Sequence, residues 1–158
     1  MSPMGSEAPV AAPRARKTRG DQLRMLLLSE VLRHQAQYRN YTTLTVQSPL
    51  YLELCWLATA LEPMVPQDAS IVVREWHSAL ERDQKLMGLC VVIGLGGGVE
   101  AHLIAANAYA KHLAIEAWGD GELCYGHYAP TAKIEQIARV ILSDLIRRAQ
   151  IRAGTNPL

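Results

Sequence analysis

HLAIEAWGDGELCYGHYAPTAKIEQIARVILSDLI, residues 112–146, combines a hairpin signal with the most regular helical pattern of the chain. Residues Leu113–Trp118 and Glu122–Tyr125 flank the tripeptide GDG at 119–121, whose glycines can supply the positive φ angles of a tight turn. Pro130 then opens a helix. Its apolar residues recur at spacings of three and four: Ile134, Ile137, Ala138, Ile141, Leu142 and Leu145.

The N-terminal part of the chain predicts a tail followed by a helix. Residues 1–19 are rich in Pro, Ala and Arg without apolar periodicity, so we expect a disordered basic tail. Asp21 is a candidate N-cap of a helix that runs to about Arg39. Residues 20–152 are therefore expected to form one domain, with a second tail at 153–158. The apolar stripe of the first helix consists of Leu23, Leu26, Leu27 and Val31.

The middle of the chain leaves helix and strand open. Residues 50–61 and 71–80 fit amphipathic helices, but their β-branched and aromatic residues and partial alternation also fit strands. Residues 89–95, LCVVIGL, form an apolar run of strand length that ends at the glycines of 96–98.

Length and composition restrict the class of protein. With 158 residues, of which 49% are hydrophobic, the chain has material for one ordinary core. A formal net charge of +1 implies no general attraction to nucleic acid or anionic lipid. The chain shows no signal-peptide pattern and no apolar run of about 18 residues, and its three cysteines are an odd number at wide spacings. We therefore expect free thiols, no membrane association and a cytoplasmic location.

The glycine run Gly94–Gly98 suggests a nucleotide site. It follows a predicted strand, and Glu116 lies about twenty residues further on, where a dinucleotide-binding unit places a ribose carboxylate. Val99 occupies the third glycine position, however. A bulge or loop between strands is the preferred interpretation.

A metal site is a further alternative. Cys124 and His127 are spaced as C-x-x-H, and Cys90 and His102 offer two more ligands. Structural zinc sites usually show two close pairs, whereas this chain shows one, so we expect no metal.

Basic residues near the N-terminus are candidate phosphate contacts. They are Arg14, Arg16, Lys17, Arg19 and Arg24. No aromatic residues are interleaved to stack on bases, so a solvated tail is the preferred interpretation and nucleic acid is not an expected partner.

The segment from His112 to Cys124 carries the strongest sign of chemistry. A cysteine just after a tight turn is exposed by geometry, and a nearby imidazole favours the thiolate, which is the nucleophilic form. The alternative is a half-buried cysteine that packs as a small apolar residue at the end of a strand.

The order of these residues resembles the core of ubiquitin-conjugating enzymes. In that family a histidine opens an H-P-N motif, a G-x-[IL]-C with the catalytic cysteine follows, and a proline-bearing segment leads into a helix. Here His112, GELC at 121–124 and Pro130 occur in that order, within about a quarter of the chain. The resemblance implies an α+β fold with an N-terminal helix, a small antiparallel meander, four-stranded in the family, and a C-terminal helix packed on the sheet.

The resemblance also implies an activity. Cys124 would be the nucleophile that carries a ubiquitin-like protein as a thioester, and His112 the structural histidine of the motif. The partners would be the ubiquitin-like protein, its activating enzyme and a target protein with an acceptor amine. The conjugating protein itself would need no cofactor or metal.

Two residues depart from the family pattern. Leu113 and Ala114 stand where the family has Pro and Asn, so the amide that stabilises the oxyanion is missing at that position. His127, Asn107 or a backbone amide would have to donate that hydrogen bond. The segment between Cys124 and Pro130 is also shorter than in eukaryotic members of the family, which suggests a divergent relative of bacterial type.

Three functions follow, in order of preference. The first is a divergent ubiquitin-like-protein conjugating transferase. The second is a non-catalytic interaction or accessory module whose basic N-terminal arm contacts nucleic acid or a partner protein. The third is a small nucleotide-binding protein built on Gly94–Gly98.

Overall fold

The computed structural model describes residues 18–38, 49–77, 87–106 and 112–154. These residues form three α-helices and five β-strands, and a short 3-10 turn follows the second helix. The elements are α1 (Arg19–Tyr38), α2 (Pro49–Leu61), the 3-10 turn (Glu62–Met64), β1 (Ser70–His77), β2 (Met87–Gly96), β3 (Val99–Ala106), β4 (Leu113–Gly119), β5 (Glu122–Ala129) and α3 (Thr131–Arg152).

The five strands form one antiparallel sheet in the order β1-β2-β3-β4-β5. Each strand pairs with its neighbours in sequence, so short turns connect the hairpins that the structure describes. Gly97 and Gly98 make the β2–β3 turn with φ angles of 64° and 79°. Asp120 and Gly121 make the β4–β5 turn with φ angles of 55° and 80°, the pattern of a two-residue hairpin turn.

These turns test two predictions from the sequence. The GDG hairpin is confirmed, but Asp120 rather than Gly119 supplies the first positive φ angle. The glycine run is the loop between strands that we preferred. β3 follows it directly, and a dinucleotide-binding unit would need a helix there.

The helices pack on one face of the sheet. Side chains of a strand alternate between its two faces, so every second residue of β2, β3 and β4 points toward the helices. The apolar stripes of the helices cover these residues and exclude water, which supplies the main driving force for folding. The core includes Leu23, Leu27 and Val31 of α1, Leu54, Leu57 and Leu61 of α2, Leu89, Val91, Leu103 and Ile115 of the sheet, and Ile134, Leu142 and Leu145 of α3.

The α+β fold with an N-terminal helix and a C-terminal helix on an antiparallel sheet is confirmed. The sheet has five strands. Residues 49–61 are a helix because their buried residues recur at helical spacing, whereas 70–77 form an edge strand that pairs with β2. β3 was not predicted as a separate strand.

The start of α1 is held by Arg19. Its guanidinium donates to the carboxylate of Glu62 and to the carbonyl oxygens of Val65 and Pro66, the latter at 2.9 Å. This corrects the sequence interpretation in which Arg19 belonged to the basic tail.

Thr18 Oγ1 accepts a hydrogen bond of 3.0 Å from the Asp21 N–H, so Thr18 caps α1 and the predicted N-cap Asp21 lies inside the helix. Residues 1–17 of the predicted tail lie outside the described residues.

Candidate interaction surface

Cys124 lies on the edge strand β5 at a β-bulge, between the residues that pair with Ala117 and Trp118. Its side chain is exposed, and its Sγ donates to the carbonyl oxygen of Glu122 at 3.8 Å. Arg152, at the end of α3, interacts electrostatically with this thiol. The thiol is therefore accessible and has a cationic side chain nearby.

His112 lies at the opposite end of the β4–β5 hairpin from Cys124. About five residues of strand separate them, which at about 3.3 Å per residue corresponds to roughly 17 Å. The His112 ring stacks on Tyr128, with centroids 5.9 Å apart. Its Nδ1 is buried and has no hydrogen-bond partner among the described residues. The structure thus does not bring the predicted nucleophile and histidine together.

The two other predicted site residues do not complete a site around Cys124. His127 points toward α3, where it lines a shallow groove with Ile137 and Val140. It lies three residues from Cys124 along β5, or roughly 10 Å. Asn107 lies outside the described residues.

The candidate metal ligands are divided between the two faces of the sheet. Cys90 and His102 lie on the face opposite the helices, whereas His127 faces α3. Within the described ranges, no group of three or more His, Cys, Asp or Glu side chains is placed to hold a metal ion.

We call the sheet face opposite the helices the open face, because none of the described helices packs on it. A second, smaller cluster of buried residues on this face consists of strand residues alone. Val72 at one edge is 50% exposed and Tyr128 at the other is 63% exposed. The open face comprises Val72, Arg74, Trp76, Cys90, Val92, Glu100, His102, Ile104, Ala114, Glu116, Trp118, Gly126 and Tyr128.

Histidine–aromatic stacking occurs at two places on this face. His102 is 3% exposed and stacks on Trp118, with centroids 4.8 Å apart and ring planes inclined by 14°. The second stack is that of His112 on Tyr128. The two stacks lie near opposite ends of β4, about six residues or roughly 20 Å apart.

Two carboxylates lie near the first stack. Glu100 Oε1 is 2.9 Å from His102 Nε2, and Glu116 Oε1 accepts a hydrogen bond of 2.9 Å from Trp118 Nε1. His102 is buried, but the side chain of its partner Glu100 is 45% exposed. These bonds fix the orientation of the rings and leave negative charge at the surface.

Between the two stacks the floor of the open face is formed by small residues. Ala114 lies on β4, and Gly126 lies opposite Glu116 on β5. A Cβ atom at Gly126 would lie 3.1 Å from Glu116 Cγ, so a larger residue there would press on that side chain. Gly126 therefore leaves a gap in the row of larger side chains between the two stacks.

Cys90 of β2 lies on the open face opposite Arg74 of β1, and its side chain is buried. Burial raises the pKa of its thiol to about 12, and the Arg74 guanidinium only partly opposes this effect. Cys90 therefore remains protonated at neutral pH and packs as an apolar residue.

The open face was not predicted from the sequence. Its signal is the alternation of residues in EAHLIA (100–105) and AIEAWG (114–119), which places Glu100, His102, Glu116 and Trp118 on one side of two paired strands. The pattern indicates a shared face only when β3 is known to pair with β4.

Comparison of the chain with models of protein families, with curated proteins and with solved structures gives no match. In the part of the chain that the structure describes, no helix is both long enough and apolar enough to cross a membrane.

Proposed function

We propose that this protein is a non-catalytic interaction module whose open face binds a protein segment with basic and apolar side chains. The observation that carries the proposal is the exposed Tyr128 and the partly exposed Trp118 on a sheet face that none of the described helices covers. The solvated face of an antiparallel sheet is normally polar. Exposed aromatic and apolar side chains grouped on such a face are typical of binding surfaces.

The charges of the open face favour a basic partner. Glu100 and Glu116 lie beside Trp118, and a carboxylate next to an aromatic ring suits a Lys or Arg side chain through ion pairing and cation–π contact. Gly126 is exposed and has no side chain, so it leaves room for a peptide backbone. The distance of about 20 Å between the two stacks corresponds to roughly six residues of extended chain.

Titration with short peptides tests this proposal. One set contains Lys or Arg flanked by aliphatic or aromatic residues, and a matched set contains Glu at the basic positions. We expect the basic set to bind. Trp118→Ala and Glu116→Gln should each weaken binding about 3- to 30-fold, because a desolvated cation–π or charged contact contributes about 0.5–2 kcal/mol.

Trp56→Ala is the matched control for the aromatic substitution. Trp56 is a 47% exposed tryptophan on α2, outside the open face, and its loss should leave binding unchanged. Equal binding of acidic and basic peptides would contradict the proposal. So would binding that depends on Trp56 and not on Trp118.

A second candidate is the thioester carrier that the resemblance implies. Its specific support is the exposed Cys124 thiol on the β5 bulge next to Arg152. In the step itself, the Cys124 thiolate attacks the thioester carbonyl on the activating enzyme. A new C–S bond forms, the old one breaks, and the activating enzyme leaves as a thiolate that later takes up a proton.

This candidate is tested with an activating enzyme, a ubiquitin-like protein and ATP, followed by a gel without reductant. A thiol-sensitive adduct that disappears in Cys124→Ala and persists in Cys55→Ala and Cys90→Ala would support it. Absence of any adduct with the partners encoded beside this protein would argue against it.

We also infer a reducing compartment, the cytoplasm, as the location of the protein. The support is that Cys55, Cys90 and Cys124 are free thiols, and disulfides are uncommon in that compartment.

A further inference from the structure

β5 forms one edge of the sheet, and among the described residues no further strand pairs with it. Six of its eight residues are exposed. An edge strand offers unpaired N–H and C=O groups to another strand, and proteins usually protect such an edge with Lys, Pro or a covering element. β5 contains neither Lys, Arg nor Pro, and its single charged residue is Glu122 at one end.

The other edge of the sheet carries charged side chains in the middle of its strand, which β5 lacks. β1 carries Arg74 and Glu75 in the middle of the strand. α1 also packs against β1, and Arg33 of α1 forms an ion pair with Glu75 at 3.3 Å. The two edges of the same sheet therefore differ, and β5 is the edge suited to pairing.

An apolar helix surface continues the β5 edge. Val140, in the middle of α3, is 71% exposed, and it lies with Ile137 and His127 in a groove between α3 and β5. An isolated exposed valine would be ordinary. Here it lies beside an open strand edge, so one partner could cover both layers at once.

We propose that two copies of this chain pair through their β5 edges, antiparallel about a two-fold axis, with their α3 helices side by side. The axis is perpendicular to the sheet, so the helix layer of one copy continues into that of the other. The two Glu122 side chains would then lie at opposite ends of the paired strands, roughly 20 Å apart, and would not repel each other strongly.

The area that β5 and α3 could bury between two copies is enough for a specific dimer of low affinity. Eight residues of strand extend about 26 Å. One sheet layer and one helix layer are together about 20 Å thick, so each copy contributes roughly 500 Å². The total of about 1,000 Å² lies at the lower limit for a specific interface, and we therefore expect a dissociation constant in the micromolar range. The pairing would also join two open faces into one ten-stranded surface.

Sedimentation velocity of the full chain over a range of micromolar concentrations tests the pairing. The mass should rise from 17.4 kDa toward twice that value as concentration increases. Val140→Lys and His127→Lys each place a charge in the interface, at exposed positions where the monomer tolerates it. Both should weaken dimerisation at least tenfold. Leu52→Lys, at a 54% exposed leucine on α2, is the matched control and should leave the dimer unchanged.

Cys124 provides an independent test of which strand pairs. In an antiparallel pairing centred on Tyr125 or Gly126, the two Cys124 residues lie roughly 8–14 Å apart. A short bis-maleimide should therefore give a covalent dimer that is absent in Cys124→Ser.

A monomer at all concentrations would overturn the proposal. A dimer that resists both Val140→Lys and His127→Lys, or that Leu52→Lys abolishes equally, would place the interface elsewhere. These outcomes are separate from peptide binding at the open face, which the dimer variants should retain.

Discussion

The buried thiol of Cys90 should make the folded protein less stable at high pH. The side chain is 1% exposed, and this burial raises the pKa of the thiol from its ordinary value of 9.0 to about 12. The folded protein therefore keeps a proton that the unfolded chain releases. The stabilising contribution is complete below pH 9 and is lost as the pH rises from about 9 toward 12.

The size of this effect follows from the two pKa values. Between pH 8 and pH 10 the unfolded chain loses most of this proton and the folded protein keeps it. With pKa values of 9.0 and about 12, the free energy of unfolding should fall by roughly 1 kcal/mol over this interval. The whole difference corresponds to about 4 kcal/mol and is reached only near pH 12.

Urea unfolding of the wild type and of Cys90→Ala at pH 8 and pH 10 measures this effect. Other groups, including Tyr51, whose pKa burial also raises, titrate in both proteins and cancel in the comparison. Between the two pH values the free energy of unfolding of the variant should fall by roughly 1 kcal/mol less than that of the wild type. Cys124→Ala, at an exposed thiol, should behave as the wild type. Equal losses in the wild type and Cys90→Ala would refute the reasoning.

Two further substitutions test the packing of the fold by urea unfolding. Arg19→Ala should lower the free energy of unfolding by about 2 kcal/mol, because it leaves partly buried acceptors unpaired. Arg24→Ala is the control: it removes an exposed ion pair and should lower the free energy of unfolding by less than about 0.5 kcal/mol. Equal effects of the two would contradict the bridging role of Arg19. Gly88→Ala should cost about 3 kcal/mol or more, because its Cβ would lie 2.1 Å from the carbonyl oxygen of Ala105. Gly20→Ala is the control: its Cβ would meet nothing closer than 3.8 Å, so the substitution should be neutral or slightly stabilising. A Gly88→Ala variant as stable as the wild type would contradict the close approach of Gly88 to Ala105.

Local patterns were sufficient to predict much of the fold. α1 and α3 were predicted because their apolar residues follow helical spacing over several turns. The β4–β5 hairpin was predicted because GDG between two apolar segments is typical of a tight turn. α2 and β1 remained open because short apolar segments satisfy both periods. Burial of one stripe of residues 49–61 against the sheet, and pairing of 70–77 with β2, resolved that ambiguity.

The candidate site was less predictable than the fold. Sequence proximity made His112 and Cys124 look like neighbours, but a hairpin strand places residues at its two ends far apart. Glu100 and Trp118, which are distant in sequence, are directly paired across β3 and β4. Spacing along the chain therefore predicted the turn correctly, but it did not predict which side chains lie close together.

The sequence by itself determined the glycine turns and the apolar stripes of α1 and α3, because these depend on residue properties within a few positions of one another. Only the tertiary structure decided which residues share the open face, that Cys90 is buried and Cys124 accessible, and that β5 is the unprotected edge. The physical reason is that strand pairing joins residues far apart in sequence, and burial depends on which elements cover them.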